Sequence, residues 1–329
     1  MPNGLKFQRK HRFWGYKLKY LYYCIARRDV LQKKKSFGEY NENKIIYLIK
    51  PDYQDGVEGL LSLIHKQVIY IDYAKQKGYI PYVDWKNYMT QYYNGIDNVW
   101  EYFFVQPSEI TEEEVYSCKN VYLSGWTFNN INPLGLFEKD IFFDKEIEKK
   151  SYDLLFNNLR FSNEVLKAVE AEAQNIDIDK CIGVYVRGTD YVRLKPSGEY
   201  IQPNVRQVEE QIIRFVNKYN APIFLVTEDG EIYDSLVSKF GKSIRTVSYD
   251  SFIYNYDGKD VLSKSNVLEV NKKLRGQRYL VKMILLSKCK YLISSITQGS
   301  KFSYALNGGK YIDCLLYTSD AADEEDSVD

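Results

Sequence analysis

Short runs of apolar and β-branched residues recur along this chain, and segments of helical length separate them. The run KIIYLIK at 44–50 reads as a strand, and YIPYVD at 79–84 reads as another. Between them, apolar residues recur at helical spacing from Gln54 to Gly78. A strand, a glycine-bearing turn, a helix and a strand form a βαβ unit, and such units build parallel sheets. The sequence therefore predicts an α/β fold.

A second alternating series follows, after one long charged helix predicted over 145–174. Its predicted strands cover 181–187, 222–227, 243–248 and 291–295, and a further strand begins at 310–313. Its predicted helices cover 203–220, 230–240 and 271–289. The two series predict two Rossmann-like α/β domains that face a cleft, one over 44–150 and one over 151–313.

The basic residues are concentrated at the start of the chain, although the net charge is only +1. The first 35 residues carry eleven Lys and Arg and one acid, together with several aromatic residues. Residues 1–43 are predicted to form a basic, aromatic N-terminal arm. The arm is either a peripheral helix packed on the first domain or an attachment to an anionic membrane surface, which cations and interfacial aromatic residues favour.

The end of the chain has the opposite character. Its last sixteen residues carry six acids and no base, and CLLYTSDAADE at 314–324 resembles a translated sequencing adapter. Residues 314–329 are therefore predicted to be a non-native tail, with the natural sequence ending near Asp313. The alternative is a native, acidic, disordered tail.

Composition limits the function classes. The chain has two histidines, His11 and His65, which argues against a histidine-based metal site or a Ser-His-Asp triad. Its five cysteines form no close pair, as expected for a reduced, cytoplasmic protein. Because no apolar run approaches about 18 residues, no membrane span is predicted. These features predict a cytoplasmic protein, with peripheral contact to the inner membrane face if the arm binds lipid.

Polar residues follow the predicted strands. Ligands of open parallel sheets bind beyond the carboxyl ends of the strands, so these residues are candidates for one site. Arginine matches phosphate oxygens with a fixed fork of donors, and glycines and helix N-termini offer backbone N–H groups. The set therefore predicts a diphosphate site, in which an acidic residue accepts a hydrogen bond from the nucleotide base or from a ribose hydroxyl. The candidates are Gly56, Gly59, Arg187, Asp190, Thr227, Glu228, Asp229, Ser295, Thr297, Gln298, Gly299 and Ser300.

Each candidate also has a structural interpretation. Arg187 could form an ion pair with Asp190, and the glycines near the first strand could make only a tight turn. Glu228 and Asp229 could be acids of a helix's first turn, which favour the helix dipole. The segment 294–300 could be an ordinary polar loop. The DxD-like pair at 177–179 precedes its strand, at the wrong end of the sheet for a metal site.

Four segments together resemble the GDP-fucose-dependent fucosyltransferases, in particular the core α1,6-fucosyltransferases and the rhizobial nodulation fucosyltransferases. The resemblance covers about residues 44–313 and is more specific in the second half. It implies a GT-B-like fold, GDP-fucose as donor, and an inverting transfer that needs no metal or other cofactor. The segments are IGVYVRGTDY (182–191), KPSGEYIQP (195–203), IFLVTEDGEIYDSLVSKFG (223–241) and LLSKCKYLISSITQGSKFS (285–303).

The HVRRTD motif of that family falls on residues 185–190. Arg187 matches the arginine that binds the donor's phosphates, whereas Gly188 stands in place of the second arginine and Tyr185 in place of the histidine. The pair 228–229 matches the family's acidic pair, and 297–300 matches its small polar loop near the diphosphate. Gly56 and Gly59 resemble the glycine loop that reaches the nucleotide.

The resemblance implies transfer of fucose from GDP-fucose to a saccharide hydroxyl in bacterial surface-glycan synthesis. Arg187 would stabilise the departing phosphate, and Glu199 is the candidate base. The acceptor is a glycan or a lipid-linked saccharide, and no nucleic acid is expected. Two alternatives stay open: a transferase with another nucleotide sugar, because Gly188 departs from the motif, and a degenerate relative that only binds. An oxidoreductase is disfavoured because no GxGxxG follows a strand.

Overall fold

A computed structural model shows two β-sheets surrounded by helices. The residues described are 32–50, 58–86, 90–125, 131–132, 136–137, 141–194 (without the side chain of Asp190), 200, 202–256 and 271–317. The α/β class and the parallel sheets predicted from the sequence are confirmed.

The first sheet contains four strands in the order β1-β4-β2-β3. Strands β2, β3 and β4 are parallel, and α1 connects β2 to β3, as the predicted βαβ unit requires. Strand β1 pairs antiparallel with β4, and its three lysines are exposed, which discourages pairing at this edge. The elements are β1 (Lys33–Lys35), β2 (Ile46–Ile49), α1 (Leu60–Gln76), β3 (Ile80–Val83), α2 (Glu112–Val115) and β4 (Val121–Leu123).

The second sheet contains five parallel strands in the order β7-β6-β5-β8-β9. Its strands are β5 (Ile182–Tyr185), β6 (Ile223–Val226), β7 (Ile244–Arg245), β8 (Tyr291–Ser295) and β9 (Asp313–Tyr317). Its helices are α3 (Lys145–Asn158), α4 (Asn163–Ile176), α5 (Thr189–Leu194), α6 (Val205–Tyr219), α7 (Gly230–Phe240), α8 (Lys272–Lys288) and α9 (Gln298–Asn307). In chain order the strands are arranged 3-2-1-4-5, which is the order of a doubly wound sheet.

The prediction of one long helix over 145–174 is wrong, because two helices occupy this segment. Helix α3 ends at Asn158, and Leu159 has extended backbone angles. Phe161 then pairs with Phe104 in an isolated bridge, and the Ser162 side chain accepts the Val165 N–H as the cap of α4. The contact with Phe104 and the serine cap therefore interrupt a segment whose charge pattern continues without a break.

Two strands differ in extent from the prediction. Strand β7 contains two residues rather than six, and the backbone then turns, with the Asp250 N–H donating to Val247 O. Strand β9 starts at Asp313 and continues through Tyr317, paired with β8. Cys314–Tyr317 of the predicted non-native tail are thus part of the sheet, and residues 318–329 lie outside the described part.

One continuous apolar core joins the two sheets. It includes Tyr47 and Trp85 near the first sheet, and Leu285 and Phe302 near the second. Helix α1 packs against α3, α8 and α9, so first-sheet residues lie close to the strand ends of the second sheet. Among the described helices, none has the length and apolar character needed to cross a bilayer.

Candidate functional site

The strand order of the second sheet defines where a ligand would bind. In a doubly wound sheet, the ligand crevice lies at the carboxyl ends of the strands, where the strand order reverses. Here the reversal lies between β5 and β8, which are adjacent and parallel, with Tyr185 opposite Ser294. Residues 187–190 follow β5 and residues 296–300 follow β8. The structure thus brings the two segments to the same edge of the sheet.

Arg187 lies at this edge with most of its side chain buried. Its Nε atom lies 3.1 Å from Glu228 Oε1, and its guanidinium carbon lies 4.2 Å from the ring centroid of Tyr191. Burial acts to lower the pKa of Arg187, but the Glu228 carboxylate raises it, and the net direction is upward. The guanidinium is therefore held in place on one edge and one face.

Glu228 uses one carboxylate oxygen to hold the turn after β5. Its Oε1 atom accepts the Gly188 N–H at 3.2 Å and the Thr189 hydroxyl at 3.1 Å, and it also forms the ion pair with Arg187. Its side chain is 22% exposed, and Oε2 has no partner among the described residues. Of the two acids in the predicted pair, Glu228 is therefore the one with a carboxylate oxygen left for a ligand.

Asp229 has a structural position. Its Oδ1 atom accepts the N–H groups of Glu231 and Ile232 as the cap of α7, and its Oδ2 atom accepts the Thr189 N–H at 3.0 Å. Both oxygens are thereby occupied by backbone donors. Thr227 is buried, and its hydroxyl oxygen accepts the Asp229 N–H at 3.1 Å, so it supports the same turn.

The same aspartate explains why the residue after Arg187 is glycine. A Cβ atom on Gly188 would lie 2.4 Å from Asp229 Cβ and 2.3 Å from its Oδ2 atom, which is far inside contact distance. With Asp229 fixed by three backbone N–H groups, no side chain fits there. The second arginine of the resembled motif is thus sterically excluded in this chain.

The segment after β8 forms the capped N-terminus of α9. Thr297 and Ser300 make a capping box, and both side chains are buried. The first N–H groups of any helix have no partner within it, and the capping box leaves those of Gln298 and Gly299. A Cβ atom on Gly299 would lie 2.8 Å from Tyr185 Cε1, so only glycine fits here. Such a terminus favours anions.

Ser295 and Asp190 occupy different positions in the site. Ser295 is buried at the end of β8 and donates its hydroxyl to the Gln202 side-chain oxygen, so it connects the strand to the chain before α6. Asp190 lies in α5, with its side chain outside the description. The structure therefore describes an ion pair of Arg187 with Glu228. The alternative pair with Asp190 lies outside the described side chains. Gly56 and Glu199 also lie outside the described residues.

The N-terminus of α1 approaches the site from the first sheet. Gly59 precedes α1 with no side-chain cap, and no atom lies within 4 Å of the place where its Cβ would be. The Gln91 side-chain amide donates to Glu58 O, just before this helix, at 3.0 Å. Burial raises the pKa of Tyr92, while the positive charges of Arg275 and Arg187 act in the opposite direction. This helix end therefore lies next to the segment that contains Tyr92.

His65 is a residue that sequence analysis did not connect with the site. It is buried in α1, its ring stacks on Phe137 with 4.0 Å between centroids, and Nδ1 lies 2.9 Å from Gln298 Oε1. An amide oxygen only accepts, so Nδ1 carries the proton. Burial lowers the pKa of His65 to about 3, and the ring is neutral at physiological pH. The histidine therefore connects α1 to the first residue of α9.

Arg275 and Tyr279 of α8 were also missed, together with Tyr92. The Tyr279 hydroxyl lies 3.4 Å from that of Tyr185, next to Gly299. The Arg275 guanidinium lies 5.4 Å from the Tyr92 ring centroid. No local pattern marks these residues, because each contact joins segments far apart in the sequence. In the described part of the chain, no group of three or more His, Cys, Asp and Glu side chains could hold a metal ion.

The fold was compared with known proteins. No protein-family model and no curated protein matches the sequence. Among solved structures, the fucosyltransferase NodZ from Bradyrhizobium is 15% identical, with 79% of this chain and 92% of that chain covered and a TM-score of 0.45. An apo form of POFUT1 is 8% identical, with 83% and 97% covered and a TM-score of 0.45. Arabidopsis thaliana FUT1 with GDP is 11% identical, with 83% and 70% covered and a TM-score of 0.42. These three structures are of fucosyltransferases.

Proposed function

We propose that this chain is a glycosyltransferase that transfers fucose from GDP-fucose to a saccharide hydroxyl, in the synthesis of a bacterial surface glycan. The observation that carries the proposal is the position of Arg187 and the α9 N-terminus on the two sides of the switch point between β5 and β8. Both groups bind anions, and this crevice is where doubly wound sheets hold nucleotides.

The donor would lie with its diphosphate between Arg187 and the first N–H groups of α9. The free Oε2 atom of Glu228 would accept a ribose hydroxyl. Gly59, with open space around it, would let the N-terminus of α1 approach the phosphates from the opposite side. The two α/β halves would then be the acceptor and donor sides of a GT-B-like enzyme. The choice of GDP-fucose rests on the sequence resemblance of residues 182–191, 223–241 and 285–303.

The proposed reaction is an inverting displacement without a metal. The acceptor oxygen bonds to the anomeric carbon of fucose while the bond from that carbon to the β-phosphate oxygen breaks, so GDP leaves with the electron pair. Arg187 and the α9 N–H groups stabilise the charge that develops on the phosphate, and such donors are a large part of catalysis. Glu199 is the candidate base that takes the acceptor proton.

Incubation with GDP-fucose and a glycan library, followed by mass spectrometry, tests this function. A product heavier by one fucose that forms without added metal and in the presence of a chelator supports it. A panel of other GDP- and UDP-sugars tests the alternative donor, which the missing second arginine of the motif favours. If the chain binds a nucleotide but transfers and hydrolyses no sugar of the panel, it is a non-catalytic binder.

Membrane contact through the arm is a separate part of the proposal. Because Lys33–Lys35 form β1, the informative deletion removes residues 1–31 and keeps the sheet complete. The truncated protein should lose binding to vesicles that contain anionic lipid, while it keeps nucleotide binding. Equal vesicle binding by both proteins would contradict the membrane role, and a cytoplasmic enzyme with a soluble acceptor would then be favoured.

A further inference from the structure

Arg275 occupies the boundary between the two halves of the molecule. It lies at the end of the first turn of α8, which starts after the cap residue Asn271. Its Nη2 atom donates to Gln91 O at 2.5 Å, and its guanidinium faces the ring of Tyr92 at 5.4 Å. Both contacts are with the segment that follows the first sheet's β3. The side chain is therefore fixed against residues that also contact the N-terminus of α1.

The charge of Arg275 is not neutralised by a carboxylate in the part of the chain that the structure describes. Its Nε atom is buried and has no hydrogen-bond partner there. Two other basic residues of α8 differ, because Lys273 pairs with Glu164 and Lys282 pairs with Asp250. A partly buried cation without an anion is unfavourable, because burial removes water that stabilises the charge. This arrangement favours an anionic ligand next to Arg275.

The contacts around Arg275 locate it relative to the donor site. Gln91, whose carbonyl oxygen accepts from Arg275, donates its side-chain amide to Glu58 O, just before α1, at 3.0 Å. One turn further along α8, the Tyr279 hydroxyl lies 3.4 Å from the hydroxyl of Tyr185 at the end of β5. Helix α8 therefore brings Arg275 near both the N-terminus of α1 and the strand end that Arg187 follows. An uncapped helix N-terminus, which also attracts anions, lies at the same place.

Arg187 alone is a weak site for a diphosphate, because the Glu228 carboxylate neutralises part of its charge. The position after it cannot supply a second cation, since Asp229 excludes any side chain at Gly188. We infer that Arg275 is the second guanidinium that binds the donor's diphosphate, from a helix rather than from the strand end. This inference rests on the proposed function, because it assigns a further residue to the same site.

Calorimetric titration with GDP and with guanosine tests the inference. The variants are Arg275→Gln and Arg275→Lys, and Lys288→Gln removes one charge from the exposed far end of the same helix as a control. Loss of a hydrogen bond to a charged group should weaken GDP binding about 10- to 100-fold in Arg275→Gln. Arg275→Lys should lie in between, because lysine keeps the charge but not the fork. Guanosine binding and the control should not change.

The result that overturns the inference is wild-type GDP affinity in Arg275→Gln. A merely structural role of Arg275 would also overturn it, and would appear as a lower melting temperature without ligand and an equal loss for GDP and guanosine. If Arg275→Gln does not fold, the GDP affinity of Arg275→Lys gives the test, because lysine keeps a donor for Gln91 O. If the wild-type protein binds neither GDP nor another nucleoside diphosphate, the proposed function itself fails.

Discussion

Arg187 and Glu228 form a unit in which the carboxylate orients the guanidinium. The carboxylate oxygen that binds Arg187 Nε also accepts two groups of the turn after β5, so the guanidinium, the turn and β6 are fixed together. Such preorganisation matters for a departing phosphate, because donors that are already oriented need no rearrangement as charge develops. The ion pair is therefore compatible with a catalytic role and positions the guanidinium for it.

Substitution of Arg187 should mainly slow the chemical step. Arg187→Ala should lower the turnover number about 100- to 1,000-fold, because the charge on the departing phosphate loses a fixed donor. Arg187→Lys should recover little, since lysine cannot contact Glu228 and two phosphate oxygens at once. Initial rates of GDP release with saturating donor measure this effect. A variant with the normal rate would exclude Arg187 from the reaction.

His65 gives a pH dependence to stability. Its pKa is lowered by burial to about 3 in the folded protein, against an unfolded value of about 6.5, so the unfolded chain binds one more proton between these limits. Its stability contribution is complete above about pH 6.5. It falls by about 1.4 kcal/mol per unit as pH decreases towards 3.

The variant His65→Phe isolates this effect. It keeps an aromatic ring on Phe137 but carries no titratable group, so its free energy of unfolding should lack the additional decrease below pH 6.5. Denaturant unfolding of both proteins from pH 4.5 to 7.5 gives the difference. Parallel curves for the two proteins would show that another group causes any loss of stability in acid.

The N-terminus of α9 combines two requirements in one element. Thr297 and Ser300 satisfy each other's backbone N–H groups, so the cap needs no external partner and the N–H groups of the next residues can face a ligand. The α4 helix has a serine cap at Ser162, and it does not follow either of the strands β5 and β8 that form the switch point. A comparison of the two caps therefore separates the effect of a cap on stability from its effect on nucleotide binding.

Removal of the cap at α9 should affect both properties. Thr297→Ala should lower the free energy of unfolding by about 1 kcal/mol and should weaken GDP binding, because the first turn is no longer held. Ser162→Ala should lower stability by a similar amount and leave GDP binding unchanged. Thermal unfolding and calorimetry on both variants measure the two effects. Equal GDP affinity in both variants would show that the α9 N-terminus does not contact the nucleotide.

The strand ends could be predicted from the sequence because apolar runs mark the strands and chain order brings the residues after parallel strands to one edge. Arg187 and the segment 297–300 were found in this way. The local pattern could not predict that Glu228 would have a free oxygen and Asp229 would not, since this depends on which backbone N–H groups the turn presents. The contacts of Arg275 and His65 join residues more than 180 positions apart, beyond any local pattern.

The two halves of the molecule share one core, so a change in one half should affect the other. Helix α1 of the first half contacts α9 through His65 and Gln298, and α8 contacts the segment after β3 through Arg275. Both contacts are next to the candidate donor site rather than at a remote linker. Nucleotide binding should therefore increase the stability of the whole chain and not only that of the second sheet.

The end of the second sheet offers a test at the scale of the whole molecule. Leu315 and Leu316 are partly buried on opposite faces of β9, and the Tyr317 hydroxyl donates to Gln207 O at 2.7 Å. A chain that ends at Asp313 should lose roughly 3 kcal/mol of stability, from about half the burial value of three side chains. A chain that ends at Tyr317 should match the full chain. Denaturant unfolding of all three proteins gives the differences, and equal stability of the Asp313 and Tyr317 forms would mean that Cys314–Tyr317 add nothing to the sheet.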